Sequence, residues 1–324
     1  MTRASEFDWI STHLAPLAGA GSFNLQDDAA LLNIPAGKAL VVTQDAIASG
    51  IHFMADDPFD LVARKALRVN ISDLVAKGAV PHSYSLALGV PDSWQDDDMA
   101  TFAAGLQLDQ QTYGIHLTGG DTYRSPQQLS VAVTMFSLVD EASYKSRLGA
   151  QPGDAIYVTG TIGDAALGLK VARGELSANE SDAKFLHNAY QLPSPPTAVA
   201  ATIARYANAS MDISDGLIGD CRKLCSASGV AALVERSGIP LSAAAGRCIA
   251  ADETLWTSIC AGGDDYQVLC TVPADKCSDF AAACRSVDIA ATAIGEIKAS
   301  QTAAVALDID GEIVSMEEDS FTHF

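Results

Sequence analysis

The sequence has 324 residues, 48% of them hydrophobic, and a formal charge of −20 from 20 basic and 40 acidic residues. Such a length corresponds to about two domains, each able to bury a core. The acidity argues against a nucleic-acid or anionic-lipid footprint. It also requires any phosphate ligand to be held by metal ions, backbone N–H groups or a few local cations.

Seven cysteines (Cys221, Cys225, Cys248, Cys260, Cys270, Cys277 and Cys284) all fall in the last third, and no CxxC occurs. An odd count without paired spacing argues against a disulfide framework or a zinc site and fits buried thiols in a reducing compartment. The first residues carry no apolar signal core, and no run approaches the ~18 apolar residues that span a bilayer. The expectation is a soluble cytoplasmic protein with no membrane or nucleic-acid partner.

In chain order, residues 5–18 place Phe7, Ile10, Leu14 and Leu17 at helical spacing. Asp27 and Asp28 precede the apolar run Ala29–Leu32, and a second run, Ala39–Val42, leads into Thr43-Gln44-Asp45 and Gly50-Ile51-His52-Phe53. With Pro35 and Gly37 between them, the two runs read as a hairpin that brings both carboxylate pairs to one end of a sheet. Adjacent carboxylates repel unless a proton or a hard cation such as Mg²⁺ lies between them; a solvated acidic turn is the competing reading. A strong helix follows, with Asp57 as N-cap, Pro58 at its first position and Gly78 at its end. Leu67, Ile71, Leu74 and Val75 form its apolar face, and Asn70, Asp73 and Lys77 another. Tyr84–Val90 reads as a strand, Asp96–Tyr113 as a helix stopped by Gly114, Ile115–Thr118 as a strand entering Gly119-Gly120-Asp121-Thr122, and Leu129–Val139 as the longest β-type run.

The polar connector Asp140–Arg147 marks the domain boundary, giving domains 1–145 and 146–324. The second opens with the strand Ala155–Thr159, the turn Gly160-Thr161-Ile162-Gly163-Asp164 and the helix Ala165–Ala172. That turn offers N–H groups to a phosphate or is simply a tight strand–helix turn. Residues 175–197, polar and rich in proline, read as a loop. Met211-Asp212-Ile213-Ser214-Asp215-Gly216-Leu217 puts two acids and a hydroxyl where a strand yields to a helix. Then come a strand Ala231–Glu235, a helix around Ala251–Ser258, the segment Gly262-Gly263-Asp264-Asp265-Tyr266, a strand Gln267–Val272, a helix Asp275–Val287, a strand Ala291–Ile297 and strands near 303–314. The alternation predicts an α/β or α+β protein.

No Walker A, HExxH, GxSxG or HRD motif is present. The acidic motifs, taken together with Lys65-Ala66-Leu67-x-Val69-Asn70-x-Ser72-Asp73, Gly78-Ala79-x-Pro81, Arg147-x-Gly149-Ala150-x-Pro152-Gly153-Asp154 and the terminal His323-Phe324, resemble the thiamine-monophosphate kinase family. That family belongs to the ATP-using superfamily of aminoimidazole ribonucleotide synthetase. The G-x-H-F, G-G-D-D-Y and terminal H-F segments favour it over its relatives. The resemblance implies a two-domain aminoimidazole ribonucleotide synthetase-like fold, an N-terminal ATP- and metal-binding domain whose mixed sheet pairs in a homodimer, a C-terminal α/β domain, and ATP at the cleft. The implied reaction is ATP plus thiamine monophosphate to ADP plus thiamine diphosphate, the last step of thiamine diphosphate biosynthesis, by direct in-line transfer. Another ATP-using member of the superfamily, of selenophosphate or aminoimidazole ribonucleotide synthetase type, is the alternative.

By the same resemblance Asp28, Thr43, Gln44, Asp45, Asp73, Asp121, Asp212 and Asp215 would hold several Mg²⁺ ions. Gly119, Gly120, Arg147 and Ser214 would contact the nucleotide, and His52, Asp264 and Phe321 the thiamine phosphate. The chain departs from the family at Gln44, where a backbone oxygen would have to serve the metal, at Gln26, at Lys77, which could pair with Asp73, and at Asp264, which stands where Glu is usual.

Overall fold

Among the residues that the computed structural model describes, 5–300 and 304–314, the long run near 129–139 forms a central strand of a four-stranded sheet. The tail residues Phe321, His323 and Phe324 lie outside the described residues. The chain divides into two units: one up to Leu74 with Val80–Ala142, the other Val75–Ala79 with the chain from Ser143.

In the first unit the elements are α1 (Glu6–Trp9), β1 (Lys38–Ala48), α2 (Phe59–Ala76), β2 (Pro81–Val90), α3 (Asp96–Tyr113), β3 (His116–Arg124) and β4 (Ser130–Asp140). α1 runs on into a π-helical stretch, Ile10–Leu14, and a 3-10 turn, Ala15–Leu17, burying Trp9, Leu14 and Leu17. The sheet order is β1-β4-β2-β3, with β2 and β3 parallel and the other pairs antiparallel. Along β4, Val131, Val133, Met135, Ser137 and Val139 are buried, whereas Ala132, Thr134, Phe136 and Leu138 are half-buried. Successive side chains alternate between faces, so one face is covered and the other is partly open. The covered face meets both long helices: Tyr84 of β2 accepts from Gln110 of α3 at 3.0 Å, and Thr43 of β1 reaches Asp73 of α2. α2 and α3 are locked together by fully buried Asp109, which takes Arg64 at 2.9 Å and Arg68 at 2.6 and 3.0 Å. They approach closely because Gly105 has no side chain; a Cβ there would lie 2.3 Å from the Asp60 carbonyl oxygen.

The expected hairpin is absent. Ala29–Leu32 forms no strand, Leu31 is 68% exposed, and β1 pairs instead with β4 over eleven residues. A long strand distant in sequence is the better partner, because it offers β1 a continuous eleven-residue antiparallel ladder.

The second unit contains β5 (Ala155–Thr159), α4 (Asp164–Ala172), α5 (Glu180–Gln191), α6 (Ala200–Tyr206), β6 (Ala209–Asp212), α7 (Leu217–Ser228), β7 (Ala231–Glu235), α8 (Ala243–Ala251), α9 (Trp256–Ala261), β8 (Val268–Val272), α10 (Cys277–Ser286), β9 (Ala291–Lys298), β10 (Val305–Ile309) and β11 (Glu312–Val314). Its mixed sheet runs β11-β10-β7-β9-β5-β8-β6, with only β10 and β7 parallel. The core gathers Ile156, Val158, Ile213, Leu217, Leu224, Val234, Ile259 and Leu269. All seven cysteines are free, and Cys277 alone is not fully buried. The expected loop at 175–197 contains α5, capped by Asn179 and held to α8 by Asp182, which takes Arg247 at 2.7 and 2.5 Å. The expected helix at 251–258 is instead two helices, α8 and α9, joined through a 3-10 turn. No helix of the described residues is long and apolar enough to cross a membrane.

Candidate active site

The sequence-derived site residues form one group on each face of the first unit's sheet and a third group in the second unit. On the open face, Asp27, Asp28, Gly119, Gly120 and Asp121 line a cavity of about 530 Å³ together with Leu25, Ser85, Ala87 and Phe136. Both Asp27 and Asp28 are exposed, and the Asp28 N–H donates to Asp27 Oδ1 at 2.8 Å. The Gly119-Gly120-Asp121 motif is not a turn after β3; it lies within the strand, Gly120 opposite Leu86 and Asp121 opposite Ala87. Gly120 passes so near β2 that a Cβ would sit 1.8 Å from the Leu86 carbonyl oxygen.

On the covered face, Thr43 and Asp45 project from β1 toward α2. The Thr43 hydroxyl donates to Asp73 Oδ2, and the Asp45 N–H donates to Asn70 Oδ1 at 3.0 Å. Asn70 is fully buried and is oriented by its own donation to the Ala66 carbonyl at 3.0 Å. Gln44 lies between them in the strand, so its side chain is on the open face, in the row of Thr134, Ser85 and Gly119. Only its backbone shares the Thr43 side. Asp121, in the Ala46–Ala132–Ala87 row, also faces the open side. His52 follows β1: its Nδ1 accepts the Ala48 N–H at 3.1 Å, which puts the ring proton on Nε2, and its carbonyl accepts from the buried Lys65 ammonium at 2.8 Å.

In the second unit, buried Asp212 ends β6, and Ser214 and Asp215 form the turn into α7. Their organiser is Asp220, fully buried in the first turn of α7. Its Oδ2 accepts the N–H groups of Ser214 and Asp215, each at 3.0 Å, and its Oδ1 accepts from Lys223 Nζ at 2.8 Å. Lys223 also pairs with Asp215. Burial pushes the Asp220 carboxyl up while Lys223 pulls it down, leaving it raised. Burial works to lower the Lys223 ammonium, but the two carboxylates outweigh it and hold it above its ordinary value. Asp220 and Lys223 were not among the expected site residues; the legible signal is an acid in the first helical turn after an acidic strand end.

The 262–266 segment runs beside this turn. Asp264 N–H donates to the Ser214 carbonyl at 2.9 Å, Tyr266 N–H to that of Ile213 at 2.8 Å, and Ile213 N–H to that of Gln267 at 2.8 Å. The Gly160–Asp164 turn, one of whose readings was a phosphate cradle, is filled from within: the Gly163 N–H donates to both carboxylate oxygens of buried Asp265 at 2.9 Å. Burial pushes the Asp265 carboxyl well up. The side chain of Arg147 is exposed, and its carbonyl accepts from Ser228 Oγ at 2.9 Å. Lys77 belongs to the second unit and donates to the Ser210 carbonyl at 2.8 Å.

Among the described residues, no three or more His, Cys, Asp or Glu side chains stand close enough to form a metal cage. The donors in each group are carboxylate and hydroxyl oxygens. That set fits a hard cation bound by one or two carboxylates, with its remaining positions filled by water and substrate oxygens, as Mg²⁺ prefers.

The family model for the N-terminal domain of AIR synthase related proteins matches residues 26–139, and that for the C-terminal domain matches 151–308. The thiamine-monophosphate kinase of Caulobacter vibrioides is 37% identical over 297 residues, 90% of this chain and 84% of that protein. A crystal structure of thiamine-monophosphate kinase from Stenotrophomonas maltophilia superposes with a TM-score of 0.81 at 34% identity, over 90% of this chain and 91% of that one. AaThiL complexed with AMPPCP and TMP superposes with a TM-score of 0.79 at 28% identity, over 92% and 91%. The chain belongs to the AIR synthase related family and, within it, to the thiamine-monophosphate kinases.

Proposed function

We propose that the protein transfers the γ-phosphoryl group of ATP to thiamine monophosphate, giving thiamine diphosphate and ADP, the last step of thiamine diphosphate biosynthesis. The observation that carries this is the relation to thiamine-monophosphate kinases over nine-tenths of the chain, including one bound to an ATP analogue together with TMP. The likeness to a hydrogenase maturation protein of the same fold comes at 17% identity and speaks to the fold alone.

The reaction brings two polyanions together in a strongly acidic protein, so positioning and charge neutralisation are the main requirements. Bound Mg²⁺ would supply that neutralisation at the phosphate oxygens. We assign it to Asp28, Thr43, Asp45, Asp73, Asp121, Asp212 and Asp215, with Gln44 contributing through its backbone, consistent with its side chain facing away from Thr43 and Asp45. Gly119, Gly120, Arg147 and Ser214 are assigned to the nucleotide. His52 and Asp264 are assigned to thiamine monophosphate, along with Phe321 of the tail. The residue 145/146 boundary falls between the two family-matched segments, and the nucleotide and metal chemistry is assigned chiefly to the domain before it.

The substrate phosphate attacks the γ-phosphorus in line as the bond to the β,γ-bridging oxygen breaks, and ADP leaves. A phosphate monoester has a second pKa of about 6, so the nucleophile is anionic at neutral pH and needs no general base. His52, held by Ala48 and Lys65, therefore binds and orients.

A homodimer completes the proposal. β1 is an eleven-residue edge strand with Val42 52% exposed, and the open face of its sheet carries Leu40, Val42, Phe136 and Leu138. Asp28 and Asp121 belong to that open side, whereas Thr43, Asp45 and Asp73 lie on the covered one. A second copy is the simplest way to bring both sets to one nucleotide. Free thiols throughout support a cytoplasmic location.

The test is turnover: purified protein with ATP, Mg²⁺ and thiamine monophosphate should yield equal amounts of ADP and thiamine diphosphate. ATP consumption only with aminoimidazole precursors would overturn the assignment, and an acid-stable phosphoprotein would overturn direct transfer.

A further inference from the structure

Asp264 and Tyr266 both have positive φ, 71° and 49°, a conformation that non-glycine residues seldom adopt. Such backbone persists only where the surroundings enforce it, and the enforcement is visible at each residue. Gly263 lies so close to the preceding acidic turn that a Cβ would sit 2.1 Å from the Ser214 carbonyl oxygen. Asp264 and Tyr266 donate their N–H groups to that turn at 2.9 and 2.8 Å. Between them, the Asp265 carboxylate is anchored by the Gly163 N–H at the start of α4. Fixed in this way, the chain brings the Tyr266 hydroxyl back onto its second neighbour, where it donates to Asp264 Oδ1 at 3.0 Å. The Tyr266 residue is 7% exposed, while Asp264 remains half-buried and accessible.

We propose that Tyr266 is a positioning residue: its hydroxyl sets the rotamer of the Asp264 carboxylate, in a loop held by Asp265, so that Asp264 receives the positively polarised end of the substrate. The proposal rests on the reading of Asp264 as a substrate contact. It deepens that reading by naming the part of the substrate received. A carboxylate in the position of Asp264 repels a phosphate. It attracts an exocyclic amino group or a cationic ring, both of which thiamine carries. A donor hydroxyl on an ionised acceptor makes a strong, directional bond, so the carboxylate is oriented before substrate arrives.

A double-mutant cycle tests this, using Asp264→Asn, Tyr266→Phe and the double variant in the full-length protein. The readouts are KM for each substrate, kcat, thermal melting and calorimetric binding of thiamine monophosphate without ATP. Asp264→Asn should raise the KM and Kd for thiamine monophosphate about tenfold with KM for ATP unchanged. Tyr266→Phe, which keeps the buried ring, should raise them about three- to fivefold, and the double variant should match Asp264→Asn alone. If Tyr266→Phe leaves thiamine monophosphate binding unchanged while Asp264→Asn weakens it, the positioning role is wrong. If its effect persists undiminished in the Asp264→Asn background, Tyr266 is merely structural. If Asp264→Asn itself changes neither constant, the substrate assignment of Asp264 fails, a result distinct from the other two.

Discussion

The Thr43 hydroxyl donates to the Asp73 carboxylate, tying an edge strand to the long helix beneath its sheet. Each residue belongs to a different sequence motif, and the bond makes the two motifs one site. Thr43→Val keeps the shape and removes the donor. A typical hydrogen bond contributes about 0.5–1.5 kcal/mol to stability, so melting should fall only slightly. Turnover with saturating thiamine monophosphate should fall about tenfold or more, because Asp73 loses its orientation. Unchanged kinetics in a folded Thr43→Val variant would remove both residues from the catalytic machinery.

Asp220 is predicted to matter for stability and activity together. Replacing it by Ala leaves two backbone N–H groups unpaired and strips Lys223 of a partner. Leaving a buried N–H donor without its acceptor costs about 1–3 kcal/mol, and Asp220 serves two of them. Lys223 is 38% exposed at its side chain, so Lys223→Met should cost under about 1 kcal/mol while still lowering turnover through Asp215. Denaturant titration separates the two, and equal losses of stability would contradict this division of labour.

Asp212→Asn should cost far more in kcat than in folding, about a hundredfold or more if the carboxylate serves developing charge. Chelation of divalent ions should abolish turnover, and Mg²⁺ should restore it. A variant that unfolds with full activity per folded molecule, or turnover that survives chelation, speaks against the metal role.

A pH signature is expected from His116, at the start of β3. Burial, with His82 beside it at a ring separation of 5.2 Å, depresses its pKa below 6.5, opposed by a bond to the Ala20 backbone. The folded state then binds fewer protons than the unfolded chain, and stability is lost as pH falls from 6.5 toward the depressed value. Melting temperature should drop between about pH 7.5 and 5.5 in the natural protein and drop less in His116→Gln. Parallel curves for the two proteins would show that His116 contributes nothing to this dependence.

Periodicity made most of the architecture legible. α3 was readable end to end because Asp96 and Asp98 open it and Gly114 closes it at φ 67°. β7 was readable because it is short, apolar and bounded by turn residues. α5 was hidden: its buried residues are only Asp182, Leu186 and Tyr190, and Asp182 is buried because Arg247 neutralises it from α8, a partner no local pattern reveals. The missing hairpin has the same cause, since β1's true partner lies far along the chain. At the site, the acidic motifs stood out as residues, but the distribution of Thr43, Gln44 and Asp121 between two faces of one sheet follows from register. The phosphate-cradle reading of the Gly160–Asp164 turn failed because Asp265, a hundred residues on, already satisfies its amide.

The pairing of Lys38 with Asp140 and of Ala48 with Ser130 also has a consequence for biosynthesis. β1 is the first strand of its unit to leave the ribosome and β4, its ladder partner, the last. Until β4 emerges, a strand bearing Leu40, Val42 and Ile47 must wait with both of its hydrogen-bonding edges open. Non-local closure of this kind is slow and exposes sticky intermediates. The polar Thr43, Gln44 and Asp45 in the middle of that strand interrupt its apolar character, so residues assigned to the reaction also guard the nascent chain against pairing with the wrong partner.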